Sequence, residues 1–384
     1  MLLAGSGLLS SCQPAADPAG TDSARDSSLS ARFLSGTEAD SLIRDRKYEQ
    51  VPAIAADADG KTLYVAWYSG GMAPGPGNYV TLSVSTDKGN TWLNDQLIVY
   101  PREAATRLFD PALWRDKNGQ VYLFYGSAKD SLLWDGFGGV NSVAVSWNGS
   151  KVSYKDPRRL TDGVMSNKPV YLASKDLGLF PVYIDKPLSA ESPVTYPANG
   201  AFILSHNYAD AKTLTDLSPY SSIVLPDSIR IHDEPQIVET SDKGDFLALL
   251  RTTEGIYSAG SADYGKTWSQ PVPFTASGPT TSSRFYIGRL ASGNLLLVSN
   301  NSTTREKMTA SVSKDGGKTW PYQLLLDERP NVSYPDADQT PDGAIHVVFD
   351  RDRTGAKDIL YFRFTEEDVL AGNTQNVFKA RVNK

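Results

Sequence analysis

One octamer occurs three times in this chain with no mismatch to the pattern Ser-x-Asp-x-Gly-x-Thr-Trp. The copies are residues 85–92 (STDKGNTW), 261–268 (SADYGKTW) and 313–320 (SKDGGKTW). Its chemistry is that of a tight hairpin turn. The aspartate bonds nearby backbone N–H groups, the glycine accepts a positive φ, and Thr-Trp opens the next strand with the indole under the turn. One kind of turn recurring in sequence implies one structural unit recurring in space.

A second repeat runs in phase with the first. Apolar runs open on an Xaa-Pro step at Val51-Pro52, Asp110-Pro111, Lys168-Pro169, Glu234-Pro235 and Tyr334-Pro335. Most pass through a polar turn (Asp59-Gly60, Asn118-Gly119, Asp342-Gly343) into a strongly apolar strand (LYVAWYSG, VYLFYGS, IHVVFD). Successive prolines lie 59, 58, 66 and 100 residues apart, and a proline-free copy at Arg284-Phe285 divides the last interval. That makes six units of about 50–65 residues, the size of a four-stranded propeller blade. Helical periodicity is scarce, and only residues 365–372 (TEEDVLAG) read as a helical turn. The pattern predicts an all-β chain: a six-bladed β-propeller with four-stranded antiparallel blades over residues 45–384. A pair of β-sandwiches would not hold one repeat in phase over that length.

Composition narrows the function classes. Lys plus Arg is 38 against 44 Asp plus Glu, a net charge of −6 with no long basic run, which argues against a nucleic-acid binder. A single cysteine and three scattered histidines (His206, His232, His346) argue against a disulfide framework and against a Cys/His metal centre. The start, MLLAGSGLLSSC, resembles a bacterial lipoprotein signal ending in a lipidated Cys12, although no Lys or Arg precedes the apolar run. Residues 13–44, rich in Ala, Ser, Asp and Gly, read as a flexible spacer. No later stretch reaches the roughly 18–20 apolar residues of a spanning helix. The expectation is a monomer in the bacterial cell envelope, touching membrane through a lipid anchor only.

In a propeller the innermost strands line a central channel, so residues at the start of each repeat converge on the axis. Gln50, Arg107, Asp110, Asn167, Lys168, Arg230, His232, Asp233, Glu234, Arg284, Tyr334 and Asp336 all sit in that phase. Charged groups at one phase of buried strands either line a wet site or form salt bridges that close the ring. Trp134-Asp135, in a glycine-rich stretch, reads as an aromatic lip or as a plain hairpin.

The octamers resemble the Asp-boxes of the sialidase superfamily, whose role there is structural, which assigns Asp87, Asp263 and Asp315 to folding. The later half of the chain resembles the exo-sialidases residue by residue. Retaining sialidases use a tyrosine nucleophile activated by a glutamate, and three arginines that hold the substrate carboxylate. A neutral phenol is not repelled by that carboxylate as an anionic nucleophile would be. Arginine's planar fork suits a carboxylate. The segment from Glu234 through LALLRT matches the glutamate-to-arginine stretch, which gives Glu234 the activating role and Arg251 a place in the trio. The spacing of Arg305 and Tyr334 matches the last arginine and the tyrosine.

Two departures stand out. Where the family has Arg-Ile-Pro in the first blade, this chain has Gln50-Val51-Pro52, and the loop at 68–79 (YSGGMAPGPGNY) lacks the acid/base carboxylate. Arg107 or Arg230 is the candidate replacement cation, and Asp110, ahead of Asp233, the candidate proton donor. Asn167, Lys168, Arg284 and Asp336 complete the expected substrate-binding set. The resemblance implies an exo-acting glycoside hydrolase that releases a terminal acidic sugar from a glycan, with no metal or organic cofactor. A non-catalytic glycan-binding propeller and a polysaccharide lyase using His232 remain open alternatives.

Overall fold

The computed structural model describes residues 31–43, 46–71, 73–129, 138–185 and 200–383. Cys12 with its signal-like segment, the first part of the spacer and the Trp134-Asp135 lip lie outside the described residues.

Six antiparallel sheets follow one another along the chain. The first holds β2 (Tyr48–Ala56), β3 (Leu63–Gly70), β4 (Tyr79–Ser85) and β5 (Leu93–Pro101). The second holds β6 (Thr106–Arg115), β7 (Val121–Lys129), β8 (Gly139–Trp147) and β9 (Val152–Thr161). The third is β10 (Val170–Leu172), β11 (Leu177–Ile184), β12 (Gly200–Asn207) and β13 (Ser218–Ile223). The fourth is β14 (Gln236–Glu239), β15 (Phe246–Thr252), β16 (Gly255–Ser261) and β17 (Val272–Pro273). β18 (Tyr286–Arg289), β19 (Leu295–Asn300), β20 (Met308–Ser313) and β21 (Tyr322–Asp327) make the fifth. β22 (Val332–Gln339), β23 (Ile345–Arg351), β24 (Asp358–Phe364) and β25 (Phe378–Arg381) make the sixth. First strands neighbour one another at β10–β14, β14–β18 and β18–β22, and β2 lies beside both β6 and β22, so the ring closes. This is the six-bladed β-propeller that the repeat implies. β2, β3 and β4 are buried along their whole length, as strands pressed between neighbouring blades must be.

One expectation needs correction. Residues 31–43, read as spacer, are ordered on the first blade: β1 (Ala31–Leu34) pairs with β5 and adds a fifth strand, and α1 (Gly36–Ile43) buries Ala39 and Ile43. Phe33 and Leu34 supply enough apolar surface to cover a strand edge. The helical turn expected near residue 365 is α2 (Glu366–Ala371), with a capping box between Thr365 and Asp368.

The three octamers make nearly superposable turns between the third and fourth strands of blades 1, 4 and 5. In each the serine hydroxyl donates to the aspartate (2.8 Å) and the threonine hydroxyl donates to the other carboxylate oxygen (2.6–2.7 Å). Their indoles also reach the preceding blade: Trp92 meets Tyr361 edge-on, Trp268 donates to Ser221, and Trp320 meets Phe274 edge-on.

Among the described residues no blade mixes strands from the two ends of the chain, and side chains supply much of the closure between blades 6 and 1. The carboxylates of Asp336, Asp338 and Asp350 accept from the backbone N–H of Ile54 (2.8 Å), Ala56 (2.8 Å) and Val51 (3.0 Å).

Candidate active site

Four of the five Xaa-Pro steps, all but Lys168-Pro169, turn out to be bulges. In β2 the register jumps from Gln50↔Tyr68 to Ala53↔Ala66, so Val51 and Pro52 oppose one residue. β6 does the same at Asp110-Pro111, and β22 at Tyr334-Pro335. In blade 4 the Arg251 N–H donates to the Asp233 carbonyl (2.7 Å) while Gln236 pairs with Leu249, which leaves Glu234-Pro235 opposite Leu250. Proline suits the position because it has no N–H to strand. Each residue before the proline is driven to positive φ: Val51 55°, Asp110 45°, Glu234 40° and Tyr334 55°. This conformation is strained for any residue other than glycine, and doubly so ahead of proline. Three of the four strained positions carry reactive side chains, consistent with bulges re-aiming side chains beside active sites.

The side chains they aim meet in one network. The Tyr334 hydroxyl accepts from Arg251 (3.2 Å) and Arg305 (3.3 Å). The same Arg251 nitrogen donates to Glu234 (3.1 Å). Arg284 reaches the other Glu234 oxygen (3.4 Å) and Asp110 (3.0 Å), and Ser166 touches Asp110 at 3.5 Å. Glu234 and Tyr334 do not hydrogen-bond each other directly; Arg251 stands between them. Burial pushes the Glu234 carboxyl up, but Arg251, Arg284 and His232 outweigh it and hold it below the ordinary carboxylate value. Glu234 is therefore ionised and able to take a proton.

Sequence reasoning missed Arg353. Its guanidinium lies 4.2 Å from the centre of the Tyr334 ring, nearer than those of Arg305 (4.9 Å), Arg284 (5.0 Å) or Arg251 (5.9 Å). It donates to Ser333 (2.8 Å) and pairs with Asp350 (3.4 Å), and its carbonyl accepts from Glu49, next to Gln50. A cation from blade 6 thus stands beside the position where blade 1 offers only glutamine. Gln50 is buried there, and its side-chain carbonyl has no hydrogen-bond partner. The available signal was the place of Arg353 just beyond an apolar second strand, close to the phase of Arg251 in its own blade.

Other expected site residues have different neighbours. Lys168, just ahead of β10, donates to the carbonyls of Ile54 and Leu113 (the latter 2.8 Å) and pairs with Asp336 (2.8 Å), tying the inner strands of blades 1, 2 and 6 together. For these two the ring-closing alternative describes what is seen, in place of substrate contact. Arg230 and Asp233 are taken up with each other at 2.7–3.1 Å. Neither is then available as the replacement cation or proton donor. Asn167 donates to the carbonyls of Glu234 (2.9 Å) and Pro235 (3.1 Å), bracing the bulge that presents Glu234. Arg107 is buried with its guanidinium 3.8 Å from the Phe109 ring centre.

A family profile for BNR repeat-like domains matches residues 61–347. The chain belongs to that family. Among solved structures, this BNR repeat-like chain resembles a Hadza microbial sialidase, Hz136 (TM-score 0.64, 16% identity, 84% of this chain and 66% of that one). It also resembles the leech intramolecular trans-sialidase complexed with 2,7-anhydro-Neu5Ac (TM-score 0.63, 15% identity, 85% and 69%). A protein of unknown function from Dyadobacter fermentans is matched more evenly (TM-score 0.59, 18% identity, 81% and 93%). The chain spans about two thirds of the length of the sialidases it matches, and these likenesses establish a sialidase-like fold. No protein of curated function matches it.

Proposed function

We propose that this protein is a retaining, exo-acting glycoside hydrolase that releases a terminal acidic sugar from a glycan. The observation that carries the reading is the Tyr334 hydroxyl held by Arg251 and Arg305, with Glu234 on the same arginine. Both of these hydrogen bonds to the hydroxyl come from guanidinium N–H donors, so neither uses the phenol's own O–H. Four guanidinium groups surround the ring against three carboxylates paired with them (Glu234, Asp110, Asp350), a surplus of one positive charge that suits an anion. A substrate carboxylate docks on Arg251, Arg305 and Arg353 and places its anomeric carbon over the tyrosine oxygen. Drawing Arg251 off Glu234 frees that carboxylate to take the phenolic proton. Attack gives a glycosyl–tyrosine intermediate, and the guanidinium donors stabilise the charge on the phenolic oxygen as it forms and again as it leaves.

Product chemistry on a panel of acidic glycans tests this. A hydrolase releases a saturated monosaccharide, a lyase gives an unsaturated product absorbing in the ultraviolet, and a binder gives no product. Tyr334→Phe is expected to lower kcat by about 1,000-fold or more while ligand affinity changes less than about threefold. Unchanged turnover in that variant removes Tyr334 from the mechanism.

A further inference from the structure

Cleavage of a glycosidic bond needs a proton for the departing oxygen, and the usual source is missing from the loop at 68–79. The nearby carboxylates are occupied: Asp110 by Arg284 and Ser166, Asp233 by Arg230, Glu234 by Arg251 and Arg284. One titratable group, two residues before Glu234 and close enough to Glu234 and Arg251 to feel their charges, keeps a ring nitrogen open. His232 precedes Asp233-Glu234 and holds a positive φ of 51°, so the chain turns sharply just before the bulge. Its Nδ1 meets Asp185 at the end of β11 (3.0 Å), and its ring stands edge-on to Tyr183. Its Nε2 has no protein partner among the described residues, and a third of the side chain (33%) is open to solvent. It faces a cleft between blades 3 and 4 lined by Asp185, Asp227, Arg230 and Asp233.

We propose that His232, oriented by Asp185, is the general acid and base of this reaction, taking the place of the absent first-blade carboxylate. The assignment rests on the reading of Tyr334 as nucleophile. In the first step the imidazolium Nε2–H passes its proton to the leaving oxygen as the anomeric C–O bond breaks. The Tyr334 oxygen forms the new bond to carbon and its proton moves to Glu234. In the second step water attacks the anomeric carbon and Nε2 takes the water's proton. The bond to tyrosine breaks and Glu234 returns the proton to the phenol, so every group ends as it began. Asp185 fixes the ring and stabilises its charged form, as a carboxylate on the far nitrogen of a catalytic histidine does.

The hydrogen bond to Asp185 raises the His232 pKa above 6.5, against burial, with Glu234 adding to the rise and Arg251 opposing it. The acid form is therefore present below this raised value and lost as pH climbs through it. Tyr183, Asp227 and the Arg230–Asp233 pair complete the polar and charged groups facing the ring.

The experiment compares kcat/KM on two glycosides of the same acidic sugar, one with a low-pKa aryl leaving group and one with a sugar leaving group. His232→Gln is expected to lose about 100-fold or more on the sugar leaving group and less than about 5-fold on the aryl one, since only the former needs protonation. Asp185→Asn is expected to move the alkaline limb of the pH profile to lower pH. Equal loss on both substrates, no loss, or a leaving-group-dependent loss that appears in Asp110→Asn instead overturns the assignment. Tyr334→Phe keeps the two readings apart. If it abolishes both activities while His232→Gln shows no leaving-group dependence, only the histidine assignment falls. If it leaves turnover intact, or no glycoside is cleaved, both fall.

Discussion

At the scale of single residues, one phenol collects guanidinium groups from three blades, Arg251 from blade 4, Arg284 and Arg305 from blade 5, and Arg353 from blade 6. Three of these were legible in the sequence. Arg251 and Arg305 fall at motif positions, and Arg284 falls at the phase of the inner strands. Arg353 was not legible, because its contact with Tyr334 depends on how far a loop turns back after β23. Nor could the sequence distinguish Lys168, which binds carbonyls and Asp336, from a lysine awaiting a ligand, since both use the same residue type at the same phase. If Arg353 supplies the cation that Gln50 cannot, Arg353→Lys keeps the charge and loses the planar fork. The expected outcome is a KM for the acidic glycoside raised about 10-fold with kcat within about 3-fold, measured by steady-state kinetics.

At the scale of elements, bulges and turns do separate jobs, the bulges at the inner strands of blades 1, 2, 4 and 6 and the Asp-box turns ahead of the outer strands of blades 1, 4 and 5. The bulges aim Asp110, Glu234 and Tyr334 inward, and the Asp-box turns fasten outer strands to the blade before. Both were visible as motifs, the turns with their mechanism and the Xaa-Pro steps only as a phase marker, because positive φ ahead of proline runs against local preference and is imposed by the ladder around it. β1 and α1 were invisible because Ala, Ser and Asp dominate the stretch and the burial comes from docking on β5. The Asp-box carboxylates make a prediction with a defined sign. The hydroxyl and N–H of Thr267, then Ser261, hold Asp263 down at about 2, and Thr319 does the same first for Asp315. A folded-state pKa below the unfolded one gives stability that is present above the ordinary value near 3.8 and lost as pH falls toward about 2. Thr267→Val removes the first bond, so its Tm deficit against the wild type should be full above about pH 4 and shrink on acidification toward pH 2. A deficit independent of pH would place the effect in packing.

At the scale of the whole molecule, the repeat length predicted six blades and six are present. What the repeat could not reveal is how the ring shuts, since that depends on side chains meeting across about 300 residues of sequence. Asp350 is fully buried there, accepting from Val51 N–H and Ser333 (2.7 Å) and pairing with Arg353. Removing one partner of such a network leaves charge and N–H groups uncompensated. Asp350→Ala is expected to lower unfolding free energy by about 3 kcal/mol in urea titration. A fall of the same size in the more exposed Asp242→Ala, paired with Arg289 on the surface, would deny the closure any special weight.

The short pairing of β1 with β5 also decides what happens when the leading end of the chain is tugged. Force applied ahead of Ala31 falls first on four residues at the outer edge of blade 1, whereas Glu234 and Tyr334 belong to blades 4 and 6. That rim strand should come away like a strip of tape, and the network around Tyr334 would feel nothing until the whole of it had lifted.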